Sequence, residues 1–179
     1  MRSISRLLSS RKLTRGLFVV YFLILSWLIL GKMQPNWDWL LCLLDGHSGM
    51  RSLNLIPFAA PRIINGQPDY SEVWQNLLVF LPFGLYMGLL LPKHHLLLRL
   101  LPAFLTSLLF ELIQLFSGIG AADVTDLLSN TVGALLGLIA IAVFNKILKS
   151  RTLPVANLLA SFCTLLLLAL ISTLILANI

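Results

Sequence analysis

Residues 96–144 read LLLRLLPAFLTSLLFELIQLFSGIGAADVTDLLSNTVGALLGLIAIAVF. Two apolar runs, Leu96 to Phe116 and about Asp126 to Phe144, are joined by Ser117-Gly118-Ile119-Gly120. A helix that crosses a bilayer needs about 20 mostly apolar residues. The stretch therefore predicts two membrane helices joined by a short turn, which makes them antiparallel neighbours. Working outward, three further runs have the same character: Leu17 to about Met33, about Asn76 to Leu91, and about Leu153 to Ala177. The Asn76 run is short and carries Pro82. A four-span alternative makes it re-entrant, but neighbouring helices can satisfy the carbonyl that proline frees, so it reads as a kinked span. The expected fold is all-α, a polytopic transmembrane helical bundle of about five spans, with residues 1–179 forming one integral membrane domain.

The composition agrees. Of 179 residues, 58% are hydrophobic and 11% charged, with a mean hydropathy of +0.92; a soluble domain carries about 25% charged residues. Cys42 and Cys163 fit no metal spacing and no disulfide framework, and Cys163 is expected in the core. No glycine-rich phosphate loop or nucleotide motif is present. The net charge of +6 therefore points to cytoplasmic loops and to no nucleic-acid partner.

Orientation follows from the basic residues. With the N-terminus cytoplasmic, Arg2, Arg6, Arg11, Lys12, Arg15, Lys93, Arg99, Lys146, Lys149 and Arg151 fall inside, and only Lys32, Arg51 and Arg62 outside. This is the asymmetry of the positive-inside rule, and an odd number of spans places the C-terminus outside. Leu30-Gly31-Lys32-Met33 offers no small-x-small cleavage site, so the first run reads as a signal anchor. Asp38, Asp45, Asp69, Glu72, Asp123 and Asp126 all fall on the outer side. His94 and His95 lie on the inner side beside Lys93 and read as solvated.

The outer segment, residues 34–71, is the one long connection, and long connections are usually functional or disordered. Trp37-Asp38-Trp39-Leu40-Leu41-Cys42-Leu43-Leu44 predicts a short interfacial helix, because tryptophan favours the headgroup level. Asn54-Leu55-Ile56-Pro57-Phe58 predicts an extended piece tucked against the bundle.

Within the spans, polar residues carry the information. Glu111 interrupts an otherwise apolar helix, and an intramembrane carboxylate should face protein or a water-filled cavity. Ser107 and Gln114 share its face. Asp123, Asp126 and Asn130 share a face of the following helix, and Asp123 is placed to cap it. Asn76 falls at a similar depth. Two carboxylates at one depth repel, so Glu111 and Asp126 need a cation, a proton or an arginine to coexist. Against this stands the plainer reading that Asn76, Gln114 and Asn130 are interhelical glue, worth about 0.6 kcal/mol each. Gly84/Gly88 and Gly133/Gly137 are small-residue faces that favour close helix packing, with a homo-oligomer through either as the further option.

Taken together, Asn54-Leu55-Ile56-Pro57-Phe58, Asn76-x-x-x-Phe80-x-Pro82-x-Gly84, Glu111-x-x-Gln114 and Asp123-x-x-Asp126-x-x-x-Asn130-x-x-Gly133-x-x-x-Gly137 resemble the VanZ-like family, that of a membrane protein of teicoplanin resistance. The resemblance runs from Asn54 to Gly137 and its flanking spans. It implies a small multi-pass protein of the bacterial cytoplasmic membrane, linked in its named member to low-level glycopeptide resistance. The chain departs from the family at Gly120, where members often carry an arginine; Arg51, Arg62 or a bound cation would then balance the carboxylates.

The function these residues suggest is an outer-leaflet polar site for an envelope lipid, a lipid-linked glycan or a cation. Its expected residues are Asn54, Asn76, Glu111, Gln114, Asp123, Asp126 and Asn130, with Arg51 and Arg62 available for a phosphate. An enzyme version would use Glu111 or Asp126 as general base, or Glu111, Asp123 and Asp126 as ligands of a divalent cation. No nucleophilic cysteine or serine with an adjacent histidine lies on the outer side, where His47 is the single histidine. A transporter version would use Glu111 as a proton or cation site, although five spans without an inverted repeat are few for such a device. A scaffold version leaves the polar groups as glue.

Overall fold

Ser10 Oγ accepts the Lys12 N–H at 3.2 Å, and this cap starts the first long helix at Arg11, six residues before the expected Leu17. The computed structural model describes residues 2–30, 52–59, 62–64, 66–117 and 121–177. Its helices are α1 (Arg2–Leu8), α2 (Arg11–Leu30), α3 (Ser71–Leu90), α4 (Leu96–Ser117), α5 (Val124–Leu148) and α6 (Thr152–Ala177). Four three-residue strands, which the sequence reading did not foresee, are β1 (Ser52–Asn54), β2 (Arg62–Ile64), β3 (Gln67–Asp69) and β4 (Ala121–Asp123). The interfacial helix expected at Trp37 to Leu44 and the arginine at 51 lie outside the described residues.

Local chemistry explains the boundaries. The Asp69 carboxylate accepts the Ser71 N–H at 2.9 Å and the Ser71 hydroxyl at 2.8 Å, which starts α3 five residues before Asn76. Glu72 sits in its first turn, where a negative charge suits the helix dipole. Pro82 lies inside α3 without ending it. Twenty continuous residues are about 30 Å of helix, enough for a hydrocarbon core.

By length and composition, four stretches could cross a membrane: Arg11–Leu30, Ser71–Leu90, Leu96–Ser117 and Val124–Thr173. The last, at 50 residues, would be about 75 Å long if straight. It is instead divided at a 3-10 turn, Lys149–Arg151, where Lys149 takes a φ of 49°. The buried Thr152 hydroxyl donates to the Lys149 carbonyl at 2.9 Å, satisfying an acceptor freed at this corner. Counted by helices, the bundle has five long members, α2 to α6.

The core lies among α2, α3, α4 and α5 and holds Leu25, Phe80, Phe83, Tyr86, Phe110 and Leu138. Phe18 meets Phe83 edge-on at 5.3 Å, and Tyr21 Oη donates to the Val79 carbonyl at 2.6 Å. Outward-facing leucines stay exposed: Leu165 on α6 is 67% and Leu97 on α4 78% accessible. Apolar surface of that extent is stable only against lipid or another protein.

The glycines are used inside the chain. α3 and α5 lie side by side and parallel. A Cβ added at Gly84 would fall on the Ala134 carbonyl, at Gly133 on the Leu77 carbonyl, and at Gly137 on the Leu81 carbonyl, while one at Gly88 would meet the Ile141 side chain. The sequence had offered these faces to a second copy as well. Within the chain, the contact between α3 and α5 uses them.

At the opposite end from Glu111, Asn157 joins three helices. Its Nδ2 donates to the Leu8 carbonyl at 2.7 Å, and its Oδ1 accepts the Thr14 hydroxyl at 2.9 Å. Both side chains are buried. Cys163 is exposed rather than in the core, because α6 packs chiefly on α2 and only lightly on α5.

Gly84→Ala and Gly137→Ala should each lower stability in detergent by about 1–3 kcal/mol, the usual cost of overpacking. Gly16 has nothing within 4 Å of its added Cβ, so Gly16→Ala should be neutral or stabilising by up to about 1 kcal/mol. Thermal or SDS unfolding would measure the contrast.

Candidate functional site

The helix ends sort the charges. Among the described residues, Asp69, Glu72, Glu111, Asp123 and Asp126 gather at the end formed by Leu30, Ser71, Ser117 and Val124. Arg11, Lys12, Arg15, Lys93, Arg99, Lys146, Lys149 and Arg151 lie at the other end, with exposed His94 and His95 beside Lys93. Arg62 is the basic residue at the acidic end, opposite Asp69 in the antiparallel β2–β3 pair.

Glu111 is buried, 7% accessible, in the last turns of α4. Its Oε2 accepts the backbone N–H of Asp123 at 2.8 Å. Asp123 in turn is the N-cap of α5, with Oδ1 accepting the Thr125 N–H at 2.7 Å. Its Oδ2 accepts from Asn54 Nδ2 at 3.0 Å. The expected cap is therefore present, and it is wired on both sides.

That wiring fixes residues 52–59. β1 pairs in parallel with β4, with Asn54 opposite Asp123. Asn54 Oδ1 also accepts the Ile56 N–H at 3.2 Å, and the Phe58 N–H donates to Thr125 Oγ1 at 3.1 Å. Phe58 holds a φ of 59°, unusual for a bulky residue; the bond to Thr125 helps hold it there. Backbone and amide groups bind this segment, but its apolar side chains do not tuck inward as expected. Leu55 is 69% and Ile56 66% exposed, because the strand pairing directs the hydrogen bonds, not those side chains, at the bundle.

Deeper in the bundle, Asn130 is 1% accessible and its Nδ2 donates to Ser107 Oγ at 2.9 Å. Its Oδ1 is buried and has no hydrogen-bond partner among the described residues. Asn76 is buried on α3, and the pairing of Leu77 with Gly133 sets it at the depth of the first turns of α5. Gln114 turns away from this group: its Nε2 donates to the Ile29 carbonyl of α2 at 3.1 Å.

The expected residues thus divide. Asn54, Asp123 and Gln114 are engaged in bonds that join elements together. Glu111, through the Asp123 N–H, and Asn130, through Ser107, also bridge elements; with Asn76 and Asp126 they are the polar groups of the acidic end, with Asp126, Asp123 and Glu72 all within electrostatic reach of Glu111. Arg51 lies outside the described residues. Among the described residues no group of three or more His, Cys, Asp or Glu is placed to hold a metal, and both Asp123 oxygens already accept hydrogen bonds. Thr125 was missed in the sequence, although a hydroxyl two residues after a capping aspartate is a recognisable turn signal. The Ser107 hydroxyl shared a face with Glu111, but its partner on α5 was not legible.

The VanZ/LLP1 family model matches residues 18–145. Protein VanZ of Enterococcus faecium is 37% identical over 141 residues, covering 79% of this chain and 81% of that protein. No solved structure matches the chain.

The wiring makes a graded prediction. Glu111→Gln keeps an acceptor for the Asp123 N–H and should stay within about 1 kcal/mol of the parent in an unfolding assay. Glu111→Leu leaves that N–H orphaned and should cost about 1–3 kcal/mol. Asn54→Leu should speed amide exchange across residues 52–59 by about tenfold or more, with the long helices unchanged.

Proposed function

Because the chain belongs to the VanZ/LLP1 family of membrane proteins, we propose that its acidic end is an outer-leaflet site for the headgroup of an envelope lipid or lipid-linked glycan. In this reading the protein is a multi-pass protein of the bacterial cytoplasmic membrane. The basic end faces the cytoplasm, as the positive-inside rule requires, and the acidic end faces outward at headgroup depth.

The observation that carries the reading is Asn130. A buried acceptor without a partner costs about 1–3 kcal/mol, and Asn130 Oδ1 is one, in the same bundle interior as Glu111 and Asn76. Chemistry narrows the ligand. The oxygens of Glu111, Asp126 and Asn130 are acceptors, in the field of Glu72 and Asp123. They suit hydroxyl or ammonium donors, as on a sugar or amino sugar, and repel a bare anion. Arg62 is the group at this end suited to a phosphate. A contribution to glycopeptide tolerance would act through such an envelope ligand.

A scaffold role is the competing reading, and the bonds from Asn54 to Asp123 and from Gln114 to Ile29 favour it. A thermal-shift assay in mild detergent separates the two. Diglucosyl-diacylglycerol near saturation should raise the wild-type Tm by on the order of 5 °C, while diacylglycerol alone should not. Glu111→Gln and Asn130→Ser should lose the shift while remaining folded. Equal responses of wild type and both variants, or none from any of them, would leave the scaffold reading standing and remove the site.

A further inference from the structure

A second feature lies away from the acidic end. Where α6 leans on α2 and parts from α5, a cavity of about 370 Å³ opens between α2, α3, α5 and α6. Its walls are apolar almost throughout, with Ile24, Leu85, Ile141, Ala156, Ala160 and Cys163 among them. On α6 the lining runs from Thr152 to Leu167, which is about 22 Å along the helix. The shape is a slot parallel to the helices, not a rounded pocket.

Its two ends differ in charge. At one end the lining residues Leu148 and Thr152 flank the turn Lys149–Arg151, and Lys146 is one turn back on α5. Lys149 and Arg151 are exposed. The other end, near Ile24 and Leu167, carries no charged residue in its lining. We infer that this slot holds one acyl chain of an anionic phospholipid, whose phosphate sits at the Lys149–Arg151 turn.

Length, apolarity and orientation all match a chain lying along the bilayer normal. The basic turn lies where the headgroup of that chain must be, and basic pockets between helices at one membrane face are suited to anionic headgroups. The parting of α6 from α5 leaves apolar walls that no side chain among the described residues fills, and a gap of this kind loses dispersion contacts unless lipid enters it. The site is independent of the acidic end: Glu111, Asn130 and Asn76 take no part in its lining.

Native mass spectrometry of the full chain in mild detergent tests the inference, with phosphatidylglycerol and phosphatidylcholine of the same chains as probes. One equivalent of phosphatidylglycerol should bind at least tenfold more tightly than phosphatidylcholine. Lys149→Gln with Arg151→Gln should reduce phosphatidylglycerol to the phosphatidylcholine level. Ala160→Phe, which fills the slot, should weaken both lipids, and Glu111→Gln should weaken neither. A fluorophore on Cys163, in a Cys42→Ser background, gives a second readout: brominated phosphatidylglycerol should quench it more than brominated phosphatidylcholine. The inference is overturned by equal binding and equal quenching by the two lipids, by full binding to a folded Ala160→Phe variant, or by a dimer whose formation excludes lipid. Loss of phosphatidylglycerol binding in Glu111→Gln would also overturn it, by moving the lipid to the acidic end.

Discussion

The close approach of α3 and α5 is the constraint on which the rest of the molecule depends. With Gly84 on one helix and Gly133 and Gly137 on the other, backbone lies against backbone, and a single side-chain carbon would force the pair apart. In lipid no hydrophobic driving force brings helices together, so dispersion contact between closely fitted backbones has to do so. The two helices run parallel although α4 lies between them in sequence, and this arrangement sets their first turns at one depth. Glu72, Asn76, Asp126 and Asn130 lie at the acidic end as a consequence.

From that contact the network at the acidic end follows. α5 begins beside the end of α4, and β4 lies within reach of Glu111. A carboxylate inside an apolar helix is costly without a partner; here it receives the Asp123 N–H. Asp123 then caps α5 and holds Asn54, so a buried acid, a helix cap and the strand β1 become one structure. At the opposite end Thr14 and Asn157 join α1, α2 and α6. The bundle is tied by buried hydrogen bonds at both ends and by glycine contact in the middle. α6 shares least in that contact, which is why a gap opens beside it.

Much of the fold was legible because helix period, apolar length and capping are local properties. The runs at 96–116 and 153–177 lie within a residue of the observed helices, and Asp123 reads as a cap from its position alone. Boundaries missed by several residues, as at Arg11 and Ser71, fell where a polar side chain, Ser10 or Asp69, extends a helix beyond its apolar run. Hydropathy does not register such a bond. Cys163 misled for a related reason: an apolar helix looks the same whether its face meets protein or lipid.

The sequence by itself determined that the chain is a bundle of long apolar helices, that its charges divide between two ends, and that its glycines sit on helix faces suited to close packing. These follow from composition and from spacing along one helix. Only the tertiary structure decided which polar groups meet. It engaged Asn54, Glu111, Asp123 and Gln114 in joining elements, left the Asn130 oxygen without a partner among the described residues, and opened the slot beside α6. The physical reason is that a helix face specifies what it needs, a donor, an acceptor or a close neighbour, but not which of several similar helices supplies it. That choice is made by the fit of whole faces, and here the fit of α3 to α5 made it.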